Sequence, residues 1–153
     1  GGVTPKEGKA MLRLAPLADG VPRIYQVLDL RALPPVADGD SREIEFSASF
    51  LAADLESSVR YAIRAFAVVE APEDLEATWF DRRDEAISSA TRGMDVTPAT
   101  KGWQTLTLRL HVPASARSLV LFLGVRTPDK AARTVPHYVD DVRVSLITPA
   151  SMP

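Results

Sequence analysis

The 153-residue chain contains no cysteine, which removes disulfide frameworks, thiolate zinc sites and cysteine nucleophiles together. Aromatic side chains are few, with five phenylalanines, three tyrosines and two tryptophans, so a surface that stacks on a flat ligand has little to draw on. Histidine is scarcer still. His111 and His137 are the only two, and neither has the i,i+4 partner of a helical metal site; both read as surface or loop residues. The longest apolar run, Leu119 to Val125, is far shorter than the roughly 20 residues a membrane-spanning helix needs. A dominant charge is missing too. Eighteen Lys+Arg against 20 Asp+Glu leave a net charge of −2, and no Lys/Arg block supplies the footprint that phosphate backbones require. Neither nucleic acid nor membrane insertion is expected. The glycines are scattered and build no phosphate loop, and no Gly-x-Ser-x-Gly elbow serves acyl transfer. Asp140 and Asp141 are adjacent on a strand-like stretch, so their side chains leave opposite faces and cannot flank one bond. No enzymatic activity is expected.

What is present is an ordinary globular composition, 46% hydrophobic and 25% charged, on a length suited to one domain. The lack of cysteine fits a cytosolic protein and equally a secreted module whose core needs no bridge. Residues 1–10 (GGVTPKEGKA) lack a targeting pattern. Residues 1–7 read as a cloning scar and lead-in, 8–147 as the domain, and 148–153 (TPASMP) as a tail or linker.

The dominant hydrophobic period is two, in short stretches separated by Pro, Gly and Asp. Lys9 to Leu14 is a first strand, stopped at Pro16, and Ile24 to Leu30 is extended with mixed faces. Glu43 to Phe50 alternates cleanly, with Ile44, Phe46, Ala48 and Phe50 opposite Glu43, Glu45, Ser47 and Ser49. Val59 to Val69 suits burial on both faces. After Pro72, residues 73–80 form a short helix or a long excursion loop, and Ile87 to Val96 is a weak edge strand. Trp103 to Val112 places Leu106, Leu108 and Leu110 opposite Thr105, Thr107, Arg109 and His111. Leu119 to Val125 and His137 to Ile147 complete seven or eight strands. The expected fold is all-β, a two-layer antiparallel sandwich with one short helix at most in the excursion.

Two segments carry a family resemblance. Gly102-Trp103-Gln104 through Val112-Pro113, continuing Ala116-Arg117-Ser118-Leu119, and Tyr138-Val139-Asp140-Asp141-Val142, together resemble the second half of a galactose-binding-like jelly roll. Gly8 to Leu14 is similar to the strand near that family's start. The resemblance covers nearly the whole chain and takes in many carbohydrate-binding modules. It implies a non-catalytic carbohydrate-binding domain of a larger bacterial protein, secreted or at the cell surface, with a polysaccharide and neighbouring domains as partners. The alternative is an architectural or protein-interaction sandwich without a glycan ligand. The resemblance also implies a structural Ca²⁺ held by Asp141 and by Glu7 or its backbone. The opening strand that usually carries an acidic ligand is missing or shortened before Gly8, and the alternative is that Asp140 and Asp141 cap loop amides.

Sugar binding needs flat apolar faces and fixed hydrogen-bonding groups. Trp79 and Phe80, beside Arg82, Arg83 and Asp84, are candidates for such a platform; otherwise they staple the excursion onto the sandwich. Trp103 is expected over one end of the core, and Tyr25, Tyr61 and Tyr138 at the core margin. A second candidate surface is polar. If the strands of Glu43 to Phe50 and Trp103 to Val112 share a sheet, Glu43, Glu45, Ser47 and Ser49 join Thr105, Thr107, Arg109 and His111 in one wet face, with Arg109 as a binding residue.

Overall fold

A computed structural model describes residues 3–14, 22–37, 39–75, 77–127 and 135–147. Among these lie eight strands: β1 (Leu12–Leu14), β2 (Arg23–Asp29), β3 (Ser41–Ala52), β4 (Val59–Val68), β5 (Ser88–Val96), β6 (Gln104–Pro113), β7 (Ser118–Arg126) and β8 (His137–Ile147). They form two four-stranded sheets, ordered β1-β8-β3-β6 and β2-β7-β4-β5, with every pairing antiparallel. Each sheet interleaves strands from both halves of the chain, which is the strand order of a jelly roll. No helix among the described residues is long and apolar enough to cross a membrane.

The core lies between the sheets and follows the period-two pattern. Ile44, Phe46, Ala48 and Phe50 of β3 and Leu106, Leu108, Leu110 and Val112 of β6 point inward, against Tyr61, Ile63, Ala65 and Ala67 of β4 and Leu119, Leu121 and Leu123 of β7. Their polar alternates lie on the other side of the first sheet, exposed on β6 and half-buried on β3 except for Ser49, which is fully buried, as a half-buried antiparallel strand requires.

Two local readings need correction. The first strand is shorter than Lys9 to Leu14, because its ladder runs only from Leu12↔Val139 to Leu14↔His137. Beyond Val139, Asp141 takes a left-handed conformation, φ 52°, and the β3–β8 register shifts between Ser47 and Ser49. Such a bulge turns β8 away from the line that β1 would follow. The second correction concerns His137, which is not at the surface but 0% exposed, at an inward position of β8. Its Nδ1 pairs with the Tyr61 hydroxyl at 3.2 Å. Tyr61 is likewise a core residue, stacked on Phe50 with ring centroids 4.7 Å apart, and burial pushes its phenol above the ordinary tyrosine value. The excursion expected over residues 73–80 is there, and its helical turns among the described residues are 3-10 in type. Two 3-10 segments, Pro72–Asp74 and Ala77–Glu85, carry the chain across the outer face of the second sheet.

That crossing explains β7, which is buried on both faces from Ser118 to Val125. Trp79, 2% exposed, sits with Phe66, Val68, Val120 and Phe122 in a second, smaller apolar cluster. Its ring meets Phe66 edge-on at 5.9 Å. The indole Nε1 has no hydrogen-bond partner, so packing alone holds the ring. Trp79→Ala is expected to lower the unfolding free energy by about 3–5 kcal/mol, the scale of a large aromatic removed from a packed site, in urea denaturation. A loss under about 1 kcal/mol would show that this contact does not close the excursion.

Candidate functional site

Pairing of β3 with β6 sets Glu43 opposite His111, Glu45 opposite Arg109, Ser47 opposite Thr107 and Ser49 opposite Thr105. The two polar rows therefore form one continuous outer face. On the far side of β3, β8 adds Ser145 opposite Glu45 and Arg143 opposite Ser47. Arg109 reaches Glu45 at 3.2 Å and Glu43 at 4.0 Å, a cross-strand pairing of opposite charges. At the His111 end lies a cleft of about 460 Å³, lined by Pro34, Pro35, Val36, Glu43, His111, Leu146 and other residues.

At the opposite end a strap of residues 4–7 crosses the face. The Lys6 ammonium donates to Ser49 Oγ at 2.8 Å, to Thr105 Oγ1 at 3.1 Å and to Asp141 Oδ2 at 2.9 Å. The main-chain N–H groups of Lys6, Glu7 and Asp141 donate to the Asp140 carboxylate at 2.8, 3.0 and 2.7 Å. Arg143 bridges Asp141 and Glu7, the latter at 2.7 Å, and the Trp103 indole N–H donates to the Thr4 carbonyl at 3.2 Å. These bonds hold both aspartates below the ordinary carboxylate value. For Asp140 the Glu7 amide contributes most; for Asp141 it is the Lys6 ammonium.

The arrangement bears directly on the expected calcium site. Glu7 and Asp141 do come together, but through Arg143. Both Asp141 oxygens are taken by Lys6 and Arg143, and both Asp140 oxygens by amides. Ca²⁺ seeks roughly six to eight oxygens, and no group of three or more His, Asp or Glu suited to a metal occurs among the described residues. As arranged, these carboxylate oxygens are engaged by Lys6, Arg143 and main-chain amides and are not left free for that ion.

The remaining candidates do not form one site. Trp79 is packed inside its cluster and offers no open ring face, and the Phe80 side chain lies outside the described residues. Arg82 is held by Glu85 at 2.6 Å and Glu70 at 3.0 Å, and Arg83 is exposed. All four belong to the excursion over the second sheet, whereas Arg109 stands on the outer face of the first. Lys6 and Arg143 escaped the sequence reading, and Ser49 and Thr105 were expected on the wet face but not in a cluster with them. Nothing in their spacing announces a cluster, since Lys6 and Asp141 stand 135 positions apart.

No protein-family model matches the chain, and no curated protein matches it. Among solved structures it is similar to a chain described as Family 16 Carbohydrate Binding Module-2, with TM-score 0.48 and 10% identity over 93% of this chain and 80% of that one. It is also similar to the K3 cleaved adhesin domain of Lys-gingipain from Porphyromonas gingivalis w83, with TM-score 0.40 and 17% identity over 92% of this chain and 68% of that one. The jelly-roll assignment stands on the chain's own strand order.

Lys6→Met is expected to lower the melting temperature at neutral pH. A carboxylate whose folded value is depressed stabilises the fold above its unfolded value, and that contribution is lost as pH falls through the folded value. The deficit of Lys6→Met against wild type is therefore expected to shrink below the ordinary carboxylate range, which melts at neutral and acid pH will check. Chelator is expected to leave the wild-type melting temperature unchanged; a fall on chelation, restored by Ca²⁺, would contradict the clamp as the sole cation at this site.

Proposed function

We propose that this chain is a non-catalytic binding module of a larger secreted or cell-surface protein, taking a carbohydrate on the polar outer face of β1-β8-β3-β6. The observation that carries the reading is the alignment of hydroxyl, carboxylate and guanidinium groups across β6, β3 and β8. Thr107, Ser47 and Arg143 stand in one row, and Arg109, Glu45 and Ser145 in the next. Within a row neighbouring strands lie about 4.8 Å apart, and successive rows, two residues on, about 6.6 Å, spacings on which sugar hydroxyls can find donors and acceptors in alternation. His111 and the adjoining cleft extend the face at one end.

A second reading has its own observation. No tryptophan or phenylalanine stands on this face among the described residues: Trp79 is buried in the other sheet's cluster, and Trp103 is tied to Thr4. Without a stacking platform the same sandwich can serve as an architectural or protein-interaction domain that orients its neighbours.

Affinity electrophoresis against neutral soluble polysaccharides separates the two. Retardation by one polymer is expected, with Thr107→Ala/Arg109→Ala weakening it at least about tenfold, the scale of a lost hydrogen bond to a charged group. Both side chains are exposed, so folding should survive. No retardation across the panel favours the architectural reading; retardation that the double variant leaves intact moves any glycan site off this face.

A further inference from the structure

The outer face of the second sheet is covered at one end by the excursion and open at the other. At the open end Arg60 of β4 stands directly opposite Arg126 of β7, with Asp95 of β5 on the other side of Arg60. One step along, Arg23, Gly124, Ala62 and Gly93 fall in register across all four strands, and beyond them Tyr25, Phe122, Arg64 and Thr91. Three positions with at most a methyl group, Gly124, Ala62 and Gly93, thus run between rows of larger side chains, with Arg23 at their β2 end. Neighbouring groups lean over them: a Cβ at Gly124 would meet the Phe122 ring at 2.6 Å, and one at Gly93 the Arg60 guanidinium at 2.6 Å.

Four arginines frame this shelf, in a chain whose net charge is −2. Like charges directly opposite on neighbouring strands destabilise a sheet, yet the Arg60–Arg126 pair has one acid beside it. Asp95 bonds Arg60 at 2.9 Å and is itself 72% exposed. Arg126 is exposed and makes no ion pair or hydrogen bond among the described residues. The Arg64 guanidinium lies over the Phe122 ring, 5.4 Å from its centroid, and its Nε is buried without a hydrogen-bond partner. A cleft of about 500 Å³ opens between Arg60, Asp95, Arg126, Ser58 and Val59. Tyr25, 43% exposed, stands at the far side of the shelf, roughly 13 Å along the strand direction at about 3.3 Å per residue.

We propose that this shelf binds a carboxylated oligosaccharide of the uronate class. A guanidinium fork matches a planar carboxylate in two parallel bonds, and the Arg60–Arg126 pair supplies two forks where one charge repels another. Asp95 accepts from sugar hydroxyls, and Tyr25 offers a ring face to a neighbouring residue of the chain. A phosphate backbone is the poorer match, because Asp95 stands inside the patch and the chain as a whole is acidic. The proposal rests on the reading of the chain as a glycan-binding module and adds a site on its opposite face.

Isothermal titration with a galacturonate oligosaccharide and its methyl ester tests the charge, with a sulfated glycan and single-stranded DNA as further titrants. Wild type is expected to bind the free acid and not the ester, with affinity falling as salt rises. Arg126→Gln is expected to weaken binding at least about tenfold, while Thr107→Ala/Arg109→Ala leaves it unchanged. The proposal is overturned by absence of binding to the free acid, by equal binding of the ester, by indifference to Arg126→Gln in a protein that melts like wild type, or by tighter binding of DNA or the sulfated glycan. Neutral polysaccharide bound through Thr107 and Arg109 with no galacturonate binding would leave the polar-face reading standing and remove this one. Galacturonate binding without any neutral polymer would do the reverse.

Discussion

The contact on which the rest of the surface depends is the closure of Trp79 over Phe66, Val68, Val120 and Phe122. A central strand as apolar as β7 cannot leave one face to water, since each large side chain uncovered forgoes roughly 1.5–3 kcal/mol of burial. The chain between β4 and β5 answers by crossing that face, with Arg31 drawing Asp29 and Glu73 together beside it at 2.7 Å each. Asp29 is held down to about 2 by this pairing. The crossing is bounded. It covers the end of the sheet where β4 and β7 carry Phe66, Val68, Val120 and Phe122, and it leaves open the end where they carry arginine, alanine and glycine. One packing decision thus consumes the excursion's tryptophan and leaves uncovered the shelf where basic charge gathers.

The two outer faces of the sandwich consequently differ in how their charges are satisfied. On the first sheet, Arg109 is answered by Glu43 and Glu45, and Lys6 and Arg143 by Asp141 and Glu7. A ligand over β6, β3 and the Arg143 end of β8 meets ions that are already paired, with hydroxyls beside them. On the second sheet, Arg126 makes no ion pair or hydrogen bond among the described residues, and Asp95 is the one acid beside Arg60. Desolvating a paired surface and neutralising an unpaired one favour different ligands, so the faces are not redundant.

Much of the architecture was legible because it is local and periodic. The alternation of Ile44, Phe46, Ala48 and Phe50 against Glu43, Glu45, Ser47 and Ser49, and of Leu106, Leu108 and Leu110 against Thr105, Thr107 and Arg109, specifies two strands with one wet face each. Their adjacency then follows from the jelly-roll order. What stayed illegible depends on contacts between distant positions. His137 and Tyr61 look like rim residues until β8 and β4 are placed across the core from each other. Trp79 and its neighbouring arginines look like a platform until β7 is seen to need a cover. Lys6 carries no periodic signal at all, and its partners come from β3, β6 and β8. The pairing of Arg60 with Arg126 requires the β4–β7 register, which no spacing within either strand reveals.

The antiparallel pairing of β1 with β8 has a mechanical consequence. Leu12 lies beside Val139 and Leu14 beside His137, so the chain running back toward residue 3 and the chain running on toward residue 147 leave the ladder at the same end. Tension applied between those two points peels strands apart in sequence instead of shearing many bonds together. On the N-terminal side the first bonds under strain are not ladder bonds but the clasp of Lys6 with Asp140 and Asp141 and of Arg143 with Glu7, whereas Ile147 is itself in the ladder opposite Glu43. Resistance to pulling is a matter of unfolding rate, not of equilibrium stability. On the N-terminal side of this sandwich it begins with charged and amide contacts at the surface, of which ionic strength weakens the ion pairs, with the apolar core behind them.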